Sequence, residues 1–554
     1  MFITTNQRRF GYRVSSSILF LTMLLLVSFI LNACGSTSTT SKKANPLWVG
    51  EVGDEYIDNF NPYASASGGP PADMIYESLL FTNYANGTMN PWLATKYQFS
   101  DNNKQLTFTL KDNVKWNDNQ PFTSKDVKFT LDAMKQYPGM DVSAIWKYLT
   151  DVTAPDDHTV TLHFKTANTP MLWYLGRLQM LPAHIWSKVG DPTKYVDKTP
   201  VGTGPFKLKT FTPQMVTLTK NTSYWQPGKP AFNEINYPIY KSNDTLVLQL
   251  ISNKLDMAQV FTPNLERNYV QKDPTNHHFW LYPNATLMFY PNNAKKPFNQ
   301  VAVRKAISQA LDRSKMSKVA ENGYMQVANP TALILPAAKD YLAPEYANLS
   351  FKPDVQQAKK TLEDAGYTLG KDGVYVGKDG TRLSFKIDVP NSYSDEILLC
   401  QVASQNLKAA GIDASVNTLS YTDWYNNKQN GQYDITVDSD GGGLTPYYYY
   451  NRTLNSARSA PIGTSSQSNF ARWQDPHTDA LLNQYAATSD QNVQKQTMQG
   501  IEKIFVEQVP TIPLLDAPVW FEYNSSRFTG WPSKDNPYVT AASPLQIMLA
   551  IKPR

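Results

Sequence analysis

The chain has 554 residues, 41% hydrophobic and 18% charged, with a formal net charge of +5 at neutral pH. That length exceeds what one hydrophobic core supports and calls for two or three domains. Only Cys34 and Cys400 are present, which excludes a disulfide framework and leaves the fold to a large apolar core.

The N-terminus reads as an export signal. Arg8, Arg9 and Arg13 form a positive head, and 18–31 is an apolar run too short to span a bilayer and suited to a signal-peptide core. "LNAC" follows, with a small residue directly before Cys34, and then a Ser/Thr tract. Residues 1–33 are expected to form a lipoprotein signal peptide, by resemblance to a bacterial lipobox, with Cys34 the lipid-bearing mature N-terminus. The alternative is a cleaved secretory signal with an incidental cysteine. Residues 34–46 read as a polar tether. Loss of the three arginines and no acid lowers the charge from +5 to +2. No basic stripe remains, so nucleic acid is not expected as a partner.

The body mixes strand and helix signals. "LTFTL" (106–110) and "TVTLHF" (159–164) alternate as half-buried strands do. Helical stripes follow: Val303, Ile307, Ala310 and Leu311; then Val355, Ala358, Leu362 and Ala365, closed by Gly366; then Ile397, Cys400, Ala403 and Leu407, closed by Gly411. A strand begins at once in "GIDASV". Helix, glycine, strand is the rhythm of an α/β layer. "YDITVDSDGGGLTPYYYYN" (433–451) opens as a strand over 433–437 and is expected to end at Gly441, Gly442 and Gly443. If the four tyrosines beyond are extended, neighbouring rings point to opposite sides, and some have to face solvent or a cleft.

Several blocks together resemble the family 5 solute-binding proteins of ABC importers: "MIYESLLFTN" (74–83), "LKDNVKWNDNQPFTSKDVKFTL" (110–131), "VGTGPFKLK" (201–209), "KNTSYWQPGKPAFNEI" (220–235), "PFNQVAVRKAISQALDR" (297–313) and "AGYTLGKDGV" (365–374). The resemblance implies an α/β, two-lobed, periplasmic-binding-protein-like fold of type II. Lobe I would comprise 47–75, 201–290 and 519–554, with 76–200 an extra subdomain upon it, and lobe II 291–518. Hinges would lie near Tyr290 and Pro518. It also implies a monomeric receptor, lipid-anchored to the outer face of the cytoplasmic membrane, that captures a small ligand between its lobes and hands it to ABC permease subunits, with no cofactor.

Ligand contacts are expected from Glu51, Tyr63, Trp424, Asp438, Asp440, Gly442, Tyr447, Tyr448, Tyr449, Tyr450 and Trp473. Peptide-binding relatives commonly show a Trp and an acid–proline segment where this chain has "GGGLTPYYYY". That difference favours a short oligosaccharide, whose flat C–H faces pack on aromatic rings. An oligopeptide stays open, with Arg452 a possible base for its carboxylate. A glycoside-active enzyme is a further alternative, although no HExxH, GxSxG or Walker pattern occurs. Of six histidines only His277 and His278 adjoin, a poor chelate, so no metal is expected.

Overall fold

The computed structural model describes residues 46–64, 69–335, 337–441, 443–466 and 468–554. The expected signal peptide, Cys34, almost all of the tether and Gly442 lie outside these residues. Among the described residues no helix is long and apolar enough to cross a membrane.

Three main sheets organise the chain. Lobe I holds a seven-stranded sheet in the order His277–Phe279, Glu522–Asn524, Met257–Ala258, Leu47–Val52, Glu234–Tyr240, Met215–Lys220 and Phe206–Thr212. Lobe II holds a six-stranded sheet in the order Gln326–Val327, Ile512–Val519, Tyr282–Pro291, Ile435–Gly441, Ser384–Pro390 and Asp413–Leu419. Between residues 94 and 164 lies a four-stranded antiparallel sheet whose strands Gln105–Leu110 and Thr159–Phe164 show the alternating burial that their sequences predict. The three helical stripes also form, as Val301–Ala310, Val355–Asp364 and Ser394–Ala409. Gly366 and Gly411 close the last two with φ of 87° and 76°, and Cys400 is fully buried on the third.

The chain crosses between the lobes twice, and the crossings run side by side. Tyr282 pairs with Val519, and the Trp280 N–H donates to the Phe521 carbonyl at 2.9 Å. The first crossing therefore lies just before Tyr282, and the expectation of a lobe boundary at 290/291 is corrected by about eight residues. Tyr290 is buried within a strand of lobe II, paired with Thr436. The strand runs straight from the crossing to the far pole of the sheet, so its apolar end, "LMFYP", lies well beyond the hinge. The second crossing falls at 519–521, where Pro518 faces Pro283 in the register.

Four of the six sequence blocks, 74–83, 110–131, 201–209 and 220–235, meet at the joint between lobe I and the subdomain. Glu77 accepts from Trp92 Nε1 at 2.8 Å, Tyr224 Oη at 2.7 Å and Trp225 Nε1 at 3.1 Å, tying "MIYESLL" to "KNTSYW". Asn221 Nδ2 donates to the Gly204 carbonyl at 2.9 Å, and Gly204 N–H to the Ile75 carbonyl at 2.8 Å. A Cβ on Gly202 would fall onto the Ile75 carbonyl, so only glycine allows this approach. In "TSKD", Asp126 accepts from the Thr123 and Ala183 N–H groups at 2.8 and 2.9 Å, starting the helix Ser124–Gln136 and pinning the returning chain.

Two predictions follow from this packing. Gly202→Ala has to displace backbone and should destabilise by about 1–3 kcal/mol, read as a lower midpoint in urea; an unchanged midpoint contradicts the close approach. The second concerns pH. Glu321, Glu502 and Asp516 are buried, with Glu321 lacking any partner for either carboxyl oxygen and the others each leaving one oxygen unpartnered. Burial pushes Glu321 up to about 8 and Glu502 and Asp516 to about 7. The folded state then holds protons that the unfolded chain releases near pH 4, so the contribution of these three groups is fully present below that pH and is lost as pH rises to about 8. The melting temperature should be higher at pH 5 than at pH 8, and Glu321→Gln should flatten the slope. A melting temperature that rises across this range contradicts the assignment.

Candidate functional site

The strand Ile435–Gly441 lies parallel to Ser384–Pro390, which lies parallel to Asp413–Leu419. Gly441 pairs with Ala285, next to the first crossing, so the C-terminal ends of these strands face the place where the lobes meet. Ligands of open α/β sheets bind at such ends. The strand ends at Gly441, the first of the glycines expected to stop it, where a Cβ would strike Asn284 and Ala285.

Asp438 and Asp440 point to one face of this strand. Each has a cation of its own chain. Lys428, from the helix Tyr421–Asn430, bonds Asp438 and is only 5% exposed in its side chain. Its ammonium lies 4.0 Å from the Trp424 ring centroid and 4.7 Å from that of Phe470. Arg452 bonds Asp440 and also donates to the Gly441 carbonyl. Burial raises the Asp438 pKa, and Lys428 opposes the rise. The base expected for a peptide carboxylate is therefore committed within the chain.

The tyrosines are not extended. Pro446–Leu454 is a helix with Pro446 at its first position, so four consecutive rings point to every side. All four are buried: Tyr450 fully, the others with 6% exposure. The expected extended segment, with alternate rings turned to solvent or a cleft, is corrected to a helix, because a strand's period does not apply. Tyr447 stacks on Tyr485 at 4.5 Å. Tyr448 packs on Trp173 of the subdomain at 4.6 Å and donates to the Pro170 carbonyl at 3.3 Å. Tyr450 donates to the Thr331 carbonyl at 2.7 Å. Tyr449 alone of the four borders the cavity between the lobes. Gly443, at φ 113°, opens the helix by letting backbone pass directly against Tyr448.

That cavity of ≈ 180 Å³ lies between a hairpin tip of the subdomain (84–87), the crossing strand (282–284), the segments 332–334 and 337–338, and 440–449. Its volume matches about six waters and falls below the ~300–1,000 Å³ typical of enclosed ligand sites, so in this form it has room only for a short ligand or one end of a longer one. Tyr84, Tyr282, Asn86, Asn284 and Thr445 supply rings, amides and a hydroxyl, and Asp440 is its sole ionisable carboxylate. Tyr282 Oη donates to the Tyr84 carbonyl at 3.4 Å, joining crossing to hairpin. Sequence reasoning missed these lining residues. An Asn86-Gly87 hairpin turn between two short strands was the available signal, with Gly87 at φ 66°.

The remaining candidates scatter. Glu51 ends the strand Leu47–Val52 in lobe I, pushed up to about 7 by burial and the nearby Asp73, and does not line the cavity. Tyr63 donates to the Gln179 carbonyl at 2.6 Å and lines a separate hollow with Asp141. Trp424 is buried and donates to Thr436 Oγ1 at 2.9 Å, so it supports Lys428. Trp473 lies at the opposite pole of lobe II, near Pro291 and the start of Ile512–Val519. His277 is engaged by Tyr269 and Asn253, and His278 by Ser525.

Comparison with known proteins agrees with this architecture. A mannohexaose-bound periplasmic oligopeptide-binding protein of an oligopeptide ABC transporter from Thermotoga maritima superposes with a TM-score of 0.82 at 23% identity, covering 93% of this chain and all of the other. The nickel-binding periplasmic protein of Escherichia coli is 24% identical over 96% of this chain and 98% of its own length. The periplasmic oligopeptide-binding protein OppA of Salmonella typhimurium is 25% identical over 84% and 86%. The model of the bacterial extracellular solute-binding proteins, family 5, matches residues 88–461. The chain belongs to that family, the solute-binding receptors of ABC importers.

Proposed function

We propose that this receptor captures a short neutral oligosaccharide between its lobes and releases it to a membrane permease without chemical change. One observation carries the reading: both carboxylates at the cleft end of the strand Ile435–Gly441 are already paired within the chain. A peptide's ammonium would have to displace Arg452 from Asp440 and leave a guanidinium with no counter-charge, at a cost of several kcal/mol. A sugar asks only for ring faces and hydrogen-bonding groups, and Tyr84, Tyr282, Tyr449, Asn86, Asn284 and Thr445 offer both. The mannohexaose held by the Thermotoga protein is consistent with this choice. The nickel-binding relative carries a different cargo, and no cluster of metal-ligating residues occurs among the described residues here.

Calorimetry against manno- and cello-oligosaccharides and against di- to pentapeptides tests the reading. Oligosaccharides should bind and be recovered intact. Tyr84→Ala or Tyr282→Ala should weaken them ~10- to 100-fold, or ~1–3 kcal/mol. Asp438→Asn is the control: it strands Lys428 and should cost about 3 kcal/mol of stability, the low end for breaking a buried pair, with or without ligand. Peptide binding with no heat from any oligosaccharide overturns the sugar reading, and release of cleaved sugar overturns the receptor reading.

We also propose anchoring through a lipid on Cys34, on the strength of "LNAC" beyond an apolar run. Cys34→Ser should move the protein from the membrane to the soluble extracytoplasmic fraction with calorimetric affinity unchanged. A variant that still sediments with membranes contradicts the anchor.

A further inference from the structure

The strand Tyr282–Pro291 enters lobe II at the cleft and ends at the opposite pole, where Ile512–Val519 begins. A hollow at this far pole is bordered by Asn293, Asn299, Arg304, Ser459, Arg472 and Trp473, and no carboxylate lines it. It is separate from the cavity between the lobes and shares no residue with it.

Its charges are unusual in their surroundings. Arg304 and Arg472 are 2% and 3% exposed. None of the ion pairs among the described residues includes either one, in contrast to Lys428 and Arg452. Arg304 donates to the carbonyls of Phe298, Gln508 and Val509 at 2.6–3.2 Å. Arg472 donates to those of Phe470 and Gln429 at 3.0 and 2.7 Å. The C-terminal carbonyls of the helix Gln491–Gln508 offset part of the Arg304 charge, but neither arginine has a full counter-charge, and an incompletely compensated buried cation is costly. Burial lowers the pKa of both, Arg304 to about 10, so both stay protonated at neutral pH.

Further donors there lack partners. Trp473 Nε1 and Ser459 Oγ are buried with no hydrogen-bond partner, and Trp473 is 8% exposed. The indole lies beside the Arg304 guanidinium, 5.6 Å from ring centroid to guanidinium carbon. An indole N–H and a guanidinium can only donate, and the hydroxyl can donate as well. Two buried cations and spare donors around one acid-free hollow are complementary to an anion bearing several acceptor oxygens.

We propose that this distal pocket of lobe II binds a small oxyanion of the phosphate or sulfate type, held by the field of Arg304 and Arg472 and by hydrogen bonds from Trp473 and Ser459. The oxyanion neutralises two charges that the chain leaves open, so its occupancy stabilises lobe II independently of cargo.

Thermal unfolding of the whole protein in sodium phosphate, sodium sulfate and sodium chloride at matched pH and ionic strength tests this. Phosphate or sulfate should raise the melting temperature by a few degrees over chloride. Trp473→Phe keeps the ring and removes the N–H, and Ser459→Ala removes the hydroxyl. Both should fold, with a normal melting temperature in chloride, and should lose most of the oxyanion gain. Both substitutions spare the arginines, which hold backbone carbonyls and whose loss would confound folding with binding. The proposal is overturned by equal melting temperatures in the three salts, or by a gain that both variants retain. Co-sedimentation with phosphatidylglycerol vesicles distinguishes the sources of phosphate. Sedimentation lost in Trp473→Phe assigns a lipid headgroup, and none in the wild type, alongside a phosphate-specific thermal gain, assigns the free anion.

Discussion

A carboxylate that loses much of its water needs a cation within reach, and Asp438 and Asp440 take theirs from two helices of the same lobe. The strand that carries them is thereby clamped at its cleft end by Lys428 and Arg452. Lys428 in turn rests on Trp424 and Phe470, so aromatic surface that looks available for ligand is spent on holding an ammonium. The cavity is left with one carboxylate, Asp440, already paired with Arg452. Its remaining chemistry is rings, amides and hydroxyls on a hairpin, a crossing strand and a helix start.

The same helix that supplies Arg452 joins lobe II to the subdomain. Tyr448 meets Trp173 and Tyr174, and Thr169 donates from its N–H to the Ala486 carbonyl at 2.9 Å and from its hydroxyl to the Thr488 carbonyl at 3.1 Å. The contact lies on the subdomain side of the cavity, and the paired crossings lie on another. The cavity is thus bounded by two connections of different kinds, one covalent and one made only of side chains and a few hydrogen bonds. Opening requires the second to part while the first bends.

Much of the fold was legible because its signals are local. Alternation in "TVTLHF" and glycine stops after two amphipathic runs are consequences of backbone geometry that neighbours rarely override. The family blocks were legible for another reason: Glu77 ties the subdomain to lobe I, while Gly202 and Asp126 fix close approaches within lobe I and within the subdomain, and such contacts hold the architecture. The site was less legible. Four tyrosines after a strand carry no local sign of period, and Pro446 as a helix start was the one clue to a turn of direction. Trp473 looked like a cleft aromatic, yet the loop that leads into the helix Pro476–Ala487 places it at the far pole. The pairing of Asp438 with Lys428, ten residues earlier, depends on how a helix lies over a sheet, which composition does not encode.

The crystal structure of the protein with the tightest-binding oligosaccharide from the calorimetric screen tests the central claim most directly. Sugar should lie between 84–87, 282–284 and 440–449, with rings against Tyr84, Tyr282 or Tyr449 and both Lys428–Asp438 and Arg452–Asp440 intact. A ligand bound elsewhere, or an Arg452 displaced so that Asp440 holds a ligand cation, would contradict it.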